Sequence, residues 1–201
     1  MRRLKLNALG LGENIILRAI EKEDLLTLHK WANDPEIQGG IGELHFPSSI
    51  DFHLQWFENL KNDKLNQRLI VEVIGYGIIG LSSIVNIDWR NRHAWHGLVI
   101  GDNKYRKKGY GVYAIMATMK YAFDELNLER LDGSMIEYNA LSISTYCGKR
   151  LGWQQEGVRR RYFYRKGRYW DQILVGITRS DYSILLSDNK HWQERNEKKL
   201  Q

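Results

Sequence analysis

The order of apolar and turn-forming segments predicts an α/β (α+β) fold, with helices flanking one mixed central sheet of about seven strands. Three observations carry this. Two helical patterns come early, before residue 61. Three β-rich runs then follow one another between 69 and 100. The rest reads helix, strand, helix, strand, strand. An all-parallel, doubly wound sheet would alternate from the start, so a mixed sheet with helical layers fits better. At 201 residues the chain fits one domain with a core large enough to stand alone. Its core spans about 13–180, and 181–201 form a terminal helix and charged tail.

Residues 1–12 read as a loose or short edge segment. Ile15–Arg18 is strand one. Glu23-Asp24 open a helix of about ten residues, apolar at Leu25, Leu28 and Trp31, with Pro35 just beyond its end. Gly39-Gly40-Ile41-Gly42 reads as a flexible loop. Ser48 or Ser49 caps a second helix with Phe52, Trp56, Phe57 and Leu60 on one side. Leu69–Ile74 and Ile78–Asn86 form a hairpin about Gly75-Tyr76-Gly77. Trp95–Ile100 is strand four. Ile115, Met119, Ala122, Phe123 and Leu126 keep helical spacing. Leu131–Tyr138 is strand five and Ser142–Leu151 a helix. Two closing strands, near 158–165 and 169–177, turn at Lys166-Gly167-Arg168. The remainder is partly helical and charged.

The stretch from Gly97 to Leu126 organises the rest. An apolar strand turns at Gly101-Asp102-Asn103 and becomes basic and glycine-bearing at Arg106-Lys107-Lys108-Gly109-Tyr110-Gly111, where a helix opens. A helix start leaves backbone N–H groups unpaired and carries partial positive charge, so it holds anions. Glycine lets a diphosphate approach the backbone. Arg106, Lys107 and Lys108 add charge there. Taken alone, the same residues are also a basic turn on a wet face.

Arg-x-x-Gly-x-Gly in this setting resembles the acetyl-CoA diphosphate loop of the GNAT superfamily of N-acetyltransferases. Leu25–Ile37, including Trp31-Ala32-Asn33-Asp34-Pro35-Glu36, resembles the first helix and loop of the branch that acetylates ribosomal-protein N-termini. Asn86–Arg92 resembles that branch's turn before strand four. Gly152–Gly157 and Gly167–Asp171 resemble its closing strands. The resemblance covers roughly 13–180. It implies a GNAT acyl-CoA N-acyltransferase fold in which strands four and five splay apart and acetyl-CoA or coenzyme A lies in the gap. It implies diphosphate contacts from Arg106, Lys107, Lys108, Gly109, Tyr110, Gly111 and Val112. Leu98, Val99 and Ile100 would meet the pantetheine by backbone, and Asn139 and Ser142 would flank it. Residues 31–57, including Trp31 and Trp56, with Asp88 and Trp95, would wall the acceptor pocket. The bland alternative for these aromatics is the core.

Tyr146, seven residues after Asn139, matches the group that protonates departing CoA thiolate in that family. A phenol can do so at neutral pH. The Gly152-Trp153 pair comes two residues later than the family spacing, which puts Gly148 in competition for the acid's place. The branch's strand-four Glu is Trp95 here, which cannot accept a proton. His96 is the neighbouring catalytic candidate, though adjacent strand residues face opposite ways. Asp88, His45, His53 and Glu43 are others. An α-amine with pKa near 7.8 is roughly a third neutral at pH 7.5, and a lysine amine only about one part in a thousand. Without a carboxylate base, a low-pKa acceptor is expected.

The reaction implied is transfer of acetyl from acetyl-CoA to a primary amine, whether a protein N-terminus, an amino sugar or a small-molecule amine. A CoA-binding module that has lost turnover is an alternative. So is an RNA-associated protein using the basic and aromatic residues 158–168. Ribosome association and a homodimer are compatible with the resemblance. The net charge of +6 weighs slightly against polycation substrates. One cysteine, Cys147, precludes an internal disulfide, and direct attack needs no nucleophile from it. Asn7, Gly10, Gly12, Glu13 and Asn14 break any apolar leader. The expectation is a cytoplasmic protein, with no membrane span and no metal.

Overall fold

In the computed structural model, which describes residues 6–7, 15–41, 46–188 and 192, eight strands form one sheet in the order β1-β2-β3-β4-β5-β6-β8-β7. β1 (Leu6–Asn7) is a two-residue bridge on β2 (Ile15–Ala19). β3 (Gln67–Val73), β4 (Gly77–Asp88) and β5 (His93–Ile100) continue antiparallel from β2. β6 (Arg130–Ile136) runs parallel to β5, and β8 (Arg168–Thr178) lies between β6 and the edge strand β7 (Gln154–Arg165). The mixed sheet is as expected, and the fourth strand of the sequence reading is β5.

Period-two alternation assigns the two faces. Val71 and Val73 of β3 join a core beneath α4 (Tyr110–Lys120), which presents Ala114, Ile115, Met116 and Met119 to the sheet. That helix continues in a wider turn, Tyr121–Glu125, and α6 (Arg179–Asp188) adds Tyr182 and Leu185. Ile70 faces the other way, into a smaller core with α1 (Leu25–Ala32), α2 (Pro35–Gly40) and α3 (Ile50–Leu60). Buried Arg18 pairs with Asp24 and Glu72, tying the start of the α1 region to β2 and β3.

Several expectations are corrected. Pro35 does not merely follow a helix; it begins α2, capped by Asp34, whose carboxylate accepts from the Glu36 and Ile37 N–H groups. Gly39 and Gly40 end that helix. Ser49 caps α3, but Phe52 is exposed, while Leu54, Trp56, Phe57 and Leu60 pack inward and His53 is buried. The helix placed at 142–151 is α5 (Ala140–Tyr146). Beyond Cys147 the chain turns. The N–H groups of Leu151 and Gly152 bond the Gly148 carbonyl, and Gly152 has φ +69°. Cys147 is exposed in that turn.

The basic hairpin of β7 and β8 uses much of its own charge. Arg161 lies over the Tyr169 ring and Arg168 over Trp170. Among the described residues no helix is long and apolar enough to cross a membrane.

Trp31 packs flat beneath Gly101, where an added Cβ would sit 2.1 Å from the indole. Gly101→Ala must displace that ring and should cost about 2 kcal/mol. Urea denaturation should show a lower midpoint at unchanged slope, and an unchanged midpoint would contradict this packing.

Candidate active site

β5 and β6 are paired only at His93–Arg130, Ala94–Leu131 and Trp95–Asp132. Beyond Trp95, β5 runs on to Ile100 and β6 to Ile136 without meeting. The β6-facing edge of β5 thus has main-chain groups with no strand to pair them. A cleft of about 380 Å³ opens at this parting. β5 supplies Leu98, Val99 and Ile100, and the loop and start of α4 supply Arg106, Lys107, Gly109, Gly111 and Val112. Asn139, Ser142 and Tyr146 come from α5 and its cap. These residues lie far apart in sequence, and the splay brings them together.

Gly109, with φ +87°, is the N-cap of α4 and has no side chain to close the first turn. The helix's opening N–H groups face a cleft flanked by Lys107, itself at φ +59°. That arrangement suits a polyanion. Arg106 does something else with its charge. Its guanidinium donates to the Ile100 and Gly101 carbonyls and to Glu36 Oε1 at 3.0 Å, latching α2 to the cofactor loop. Lys108 is exposed and Tyr110 packs edge-on to Tyr105, and neither lines the cleft. Asn139 caps α5 through the Ser142 N–H and donates to the Gly40 carbonyl, while Tyr138 donates to the Gly39 carbonyl. α2 is thereby fastened on both sides of the cleft.

Tyr146 is buried yet borders this cleft, and Gly148 does not border it. Its hydroxyl lies 2.8 Å from His96 Nδ1. His96 Nε2 lies 3.3 Å from Ser82 Oγ, and Ser82 Oγ lies 2.7 Å from Thr118 Oγ1, which donates to the Ala114 carbonyl at 2.8 Å. The rings of His96, Tyr146 and Trp153 pack against one another, with centroids 4.9–5.8 Å apart. Burial pushes the His96 imidazole down to about 3 and pushes the Tyr146 phenol up. His96 therefore stays neutral at physiological pH.

The four residues assigned to the acceptor wall do not line this cleft. Trp31 is buried under Gly101 because its helix turns that face to the smaller core. Trp56 packs on the same core with Arg68 over its ring. Trp95 is half-buried, opposite Val85 on β4, on the face that His96 does not share. Asp88 closes the β4–β5 turn. The Asn91 backbone and side-chain N–H groups hold its carboxyl below the usual range. His53 bonds Ser48 Oγ within the α3 layer. Glu43 and His45 lie outside the described residues.

Sequence reasoning missed Glu36, Ile41, Leu141 and Thr145 on the cleft wall, and Ser82 and Thr118 behind it. Thr118 did leave a signal: it is a polar residue on the buried face of an apolar helix, where it needs a partner. Among the described residues, Glu36 is the one carboxylate on the cleft wall, and no cluster could hold a metal ion. The residues present fit coenzyme A: an uncapped helix start, a lysine, an apolar wall and an unpaired strand edge.

Residues 14–152 match the family model described as Acetyltransferase (GNAT) domain. The chain is 30% identical to the SPbeta prophage-derived uncharacterized N-acetyltransferase YokL of Bacillus subtilis, over 86% of this chain and 94% of that one. It is similar to spermidine N-acetyltransferase from Vibrio cholerae, solved in complex with CoA and spermine. That structure superposes with TM-score 0.79 at 26% identity, over 85% of this chain and 98% of that one. The [ribosomal protein uS5]-alanine N-acetyltransferase of Escherichia coli is 27% identical over 53% of this chain and 54% of its own.

Because His96 resists protonation when folded, the unfolded chain binds a proton below pH ~6.5 that the folded chain refuses. Its contribution is fully present above that pH and is lost as pH falls toward 3. His96→Gln should therefore lose about 2 kcal/mol less stability than the parent between pH 6 and pH 4. Urea titrations at the two pH values measure this, and equal losses would contradict a neutral, buried His96.

Proposed function

The chain belongs to the GNAT acetyltransferases and is an acetyl-CoA-dependent N-acetyltransferase of amines, and we propose that its acceptor is a small primary amine of near-neutral pKa. The observation that carries this reading is the cleft itself. It offers a polyanion site at the start of α4, an unpaired strand edge and a phenol, and among the described residues its one carboxylate, Glu36, is paired with Arg106. When bound, acetyl-CoA supplies the activated thioester. Gly109, Gly111 and the N–H groups opening α4 would hold its diphosphate, with Lys107 adding charge. Main-chain groups of Leu98–Ile100 would hold the pantetheine in extended form. Tyr146, which borders the cleft, would return a proton to the departing sulfur.

An acceptor that arrives neutral needs no strong base. An amine with pKa near 7.8 meets that condition roughly a third of the time at pH 7.5, and one with pKa near 10.4 only about one time in a thousand. A polyamine acceptor is the second reading, favoured by the likeness to the Vibrio cholerae enzyme. It calls for several carboxylates along the wall, whereas Glu36 is already paired with Arg106.

Thiol release measured across α-amino peptides, amino sugars, aromatic amines and spermidine tests this. The low-pKa amines should give the highest kcat/KM, and preference for spermidine would overturn the acceptor assignment. Separately, Gly109→Val puts a side chain where φ is positive. The strain should weaken coenzyme A binding about tenfold by calorimetry, and unchanged affinity would remove the helix start from the site.

A further inference from the structure

We propose that Thr118, Ser82 and His96 form a one-way hydrogen-bond chain that turns the Tyr146 hydroxyl hydrogen inward, so that Tyr146 offers the cleft a lone pair and accepts an N–H from the attacking amine. The inference rests on the acetyl-transfer reading for the amine, but the chain's direction follows from the geometry alone.

The closed end of the chain sets its direction. The Ala114 carbonyl can only accept, so the Thr118 hydroxyl spends its one hydrogen there. Thr118 Oγ1 is then the acceptor for Ser82, whose hydrogen is spent in turn. Ser82 Oγ must accept from His96 Nε2, which fixes the imidazole as the Nε2–H tautomer. His96 Nδ1 is left with a lone pair, 2.8 Å from the Tyr146 oxygen, so the phenol donates inward. Each member is buried, Ser82 and Thr118 completely. Among the described residues no salt bridge or charged hydrogen-bond partner reaches His96, whose side chain meets Ser82 and Tyr146. Running the chain backwards would take the Thr118 hydrogen from the Ala114 carbonyl and leave the phenol hydrogen in the cleft.

The proton count of the reaction closes through this pair. A bond forms between nitrogen and the acetyl carbon, and the carbon–sulfur bond breaks. Nitrogen must lose one proton and sulfur must gain one. The nitrogen proton passes to Tyr146 Oη as the phenol's own proton moves to His96 Nδ1. The Nδ1 proton then returns to Oη as Oη delivers one to the departing sulfur. His96 and Tyr146 are neutral before and after, and no outside base is consumed. His96 touches no substrate here. It acts through Tyr146 as a positioning residue, and burial makes its protonated form short-lived, which favours prompt return.

Nitrogen-15 NMR of histidine-labelled protein tests the direction without turnover. His96 should carry its proton on Nε2 alone and stay neutral down to pH 5, with and without coenzyme A. A proton on Nδ1, or titration between pH 5 and 8, overturns the chain. Ser82→Ala and Thr118→Val remove its ordering hydroxyls. Both should lower kcat about tenfold or more while the KM for acetyl-CoA changes less than twofold, and Ser82→Thr should restore kcat. Full kcat in both variants, or loss seen only in KM, overturns the role in catalysis. Failure to acetylate any amine while the Nε2–H tautomer is present would instead defeat the acetyl-transfer reading and leave the orientation standing.

Discussion

Everything in this molecule that bears on chemistry follows from two parallel strands that stop pairing after three residues. A sheet normally satisfies both edges of a central strand. Here β5 keeps β4 along its length but loses β6 beyond Trp95. Buried backbone groups left without partners are costly, so an edge inside the sheet persists only where something else can satisfy it. In the proposed reading a linear ligand with amide groups does that, as the pantetheine of coenzyme A would.

The parting is held by packing. His96, Tyr146 and Trp153 fill its closed end with three touching rings, and the Trp153 N–H reaches the Met119 sulfur on α4. α2 bridges the open end through Glu36–Arg106 on one side and the Gly39 and Gly40 carbonyls on the other. The cofactor loop is positioned by these contacts, which explains why the most conspicuous cation near it, Arg106, points at carbonyls and a carboxylate. In the proposed reading, attraction for a diphosphate falls instead to the open start of α4 and to Lys107, which border the cleft.

The strand, glycine loop and helix between Gly97 and Leu126 were legible because they obey local rules: an apolar run, turn residues, then apolar spacing at helical period. Ser49 as a cap and the β3–β4 hairpin were legible for the same reason. What local rules cannot give is which face of an element meets which layer. Trp31 and Trp56 looked like pocket walls but are core, since α1 and α3 turn their apolar faces to one side of the sheet. Asp88 looked like a base but closes a turn, a role its proximity to Asn91 could have suggested. The helix expected at 142–151 overruns the end of α5 because it takes in Gly148, whose added Cβ would lie 2.6 Å from the Ser144 carbonyl. The pairing of Ser82, His96 and Thr118 spans 14 and 36 residues and emerges only from sheet register.

A crystal structure with coenzyme A bound would test the central claim most directly. The pantetheine amides should be hydrogen-bonded to main-chain groups of Leu98–Ile100, the diphosphate oxygens should lie on the N–H groups that open α4, and the sulfur should lie beside Tyr146. A cofactor bound elsewhere on the surface, or β5 and β6 zipped together beyond Trp95 with no room between them, would contradict it.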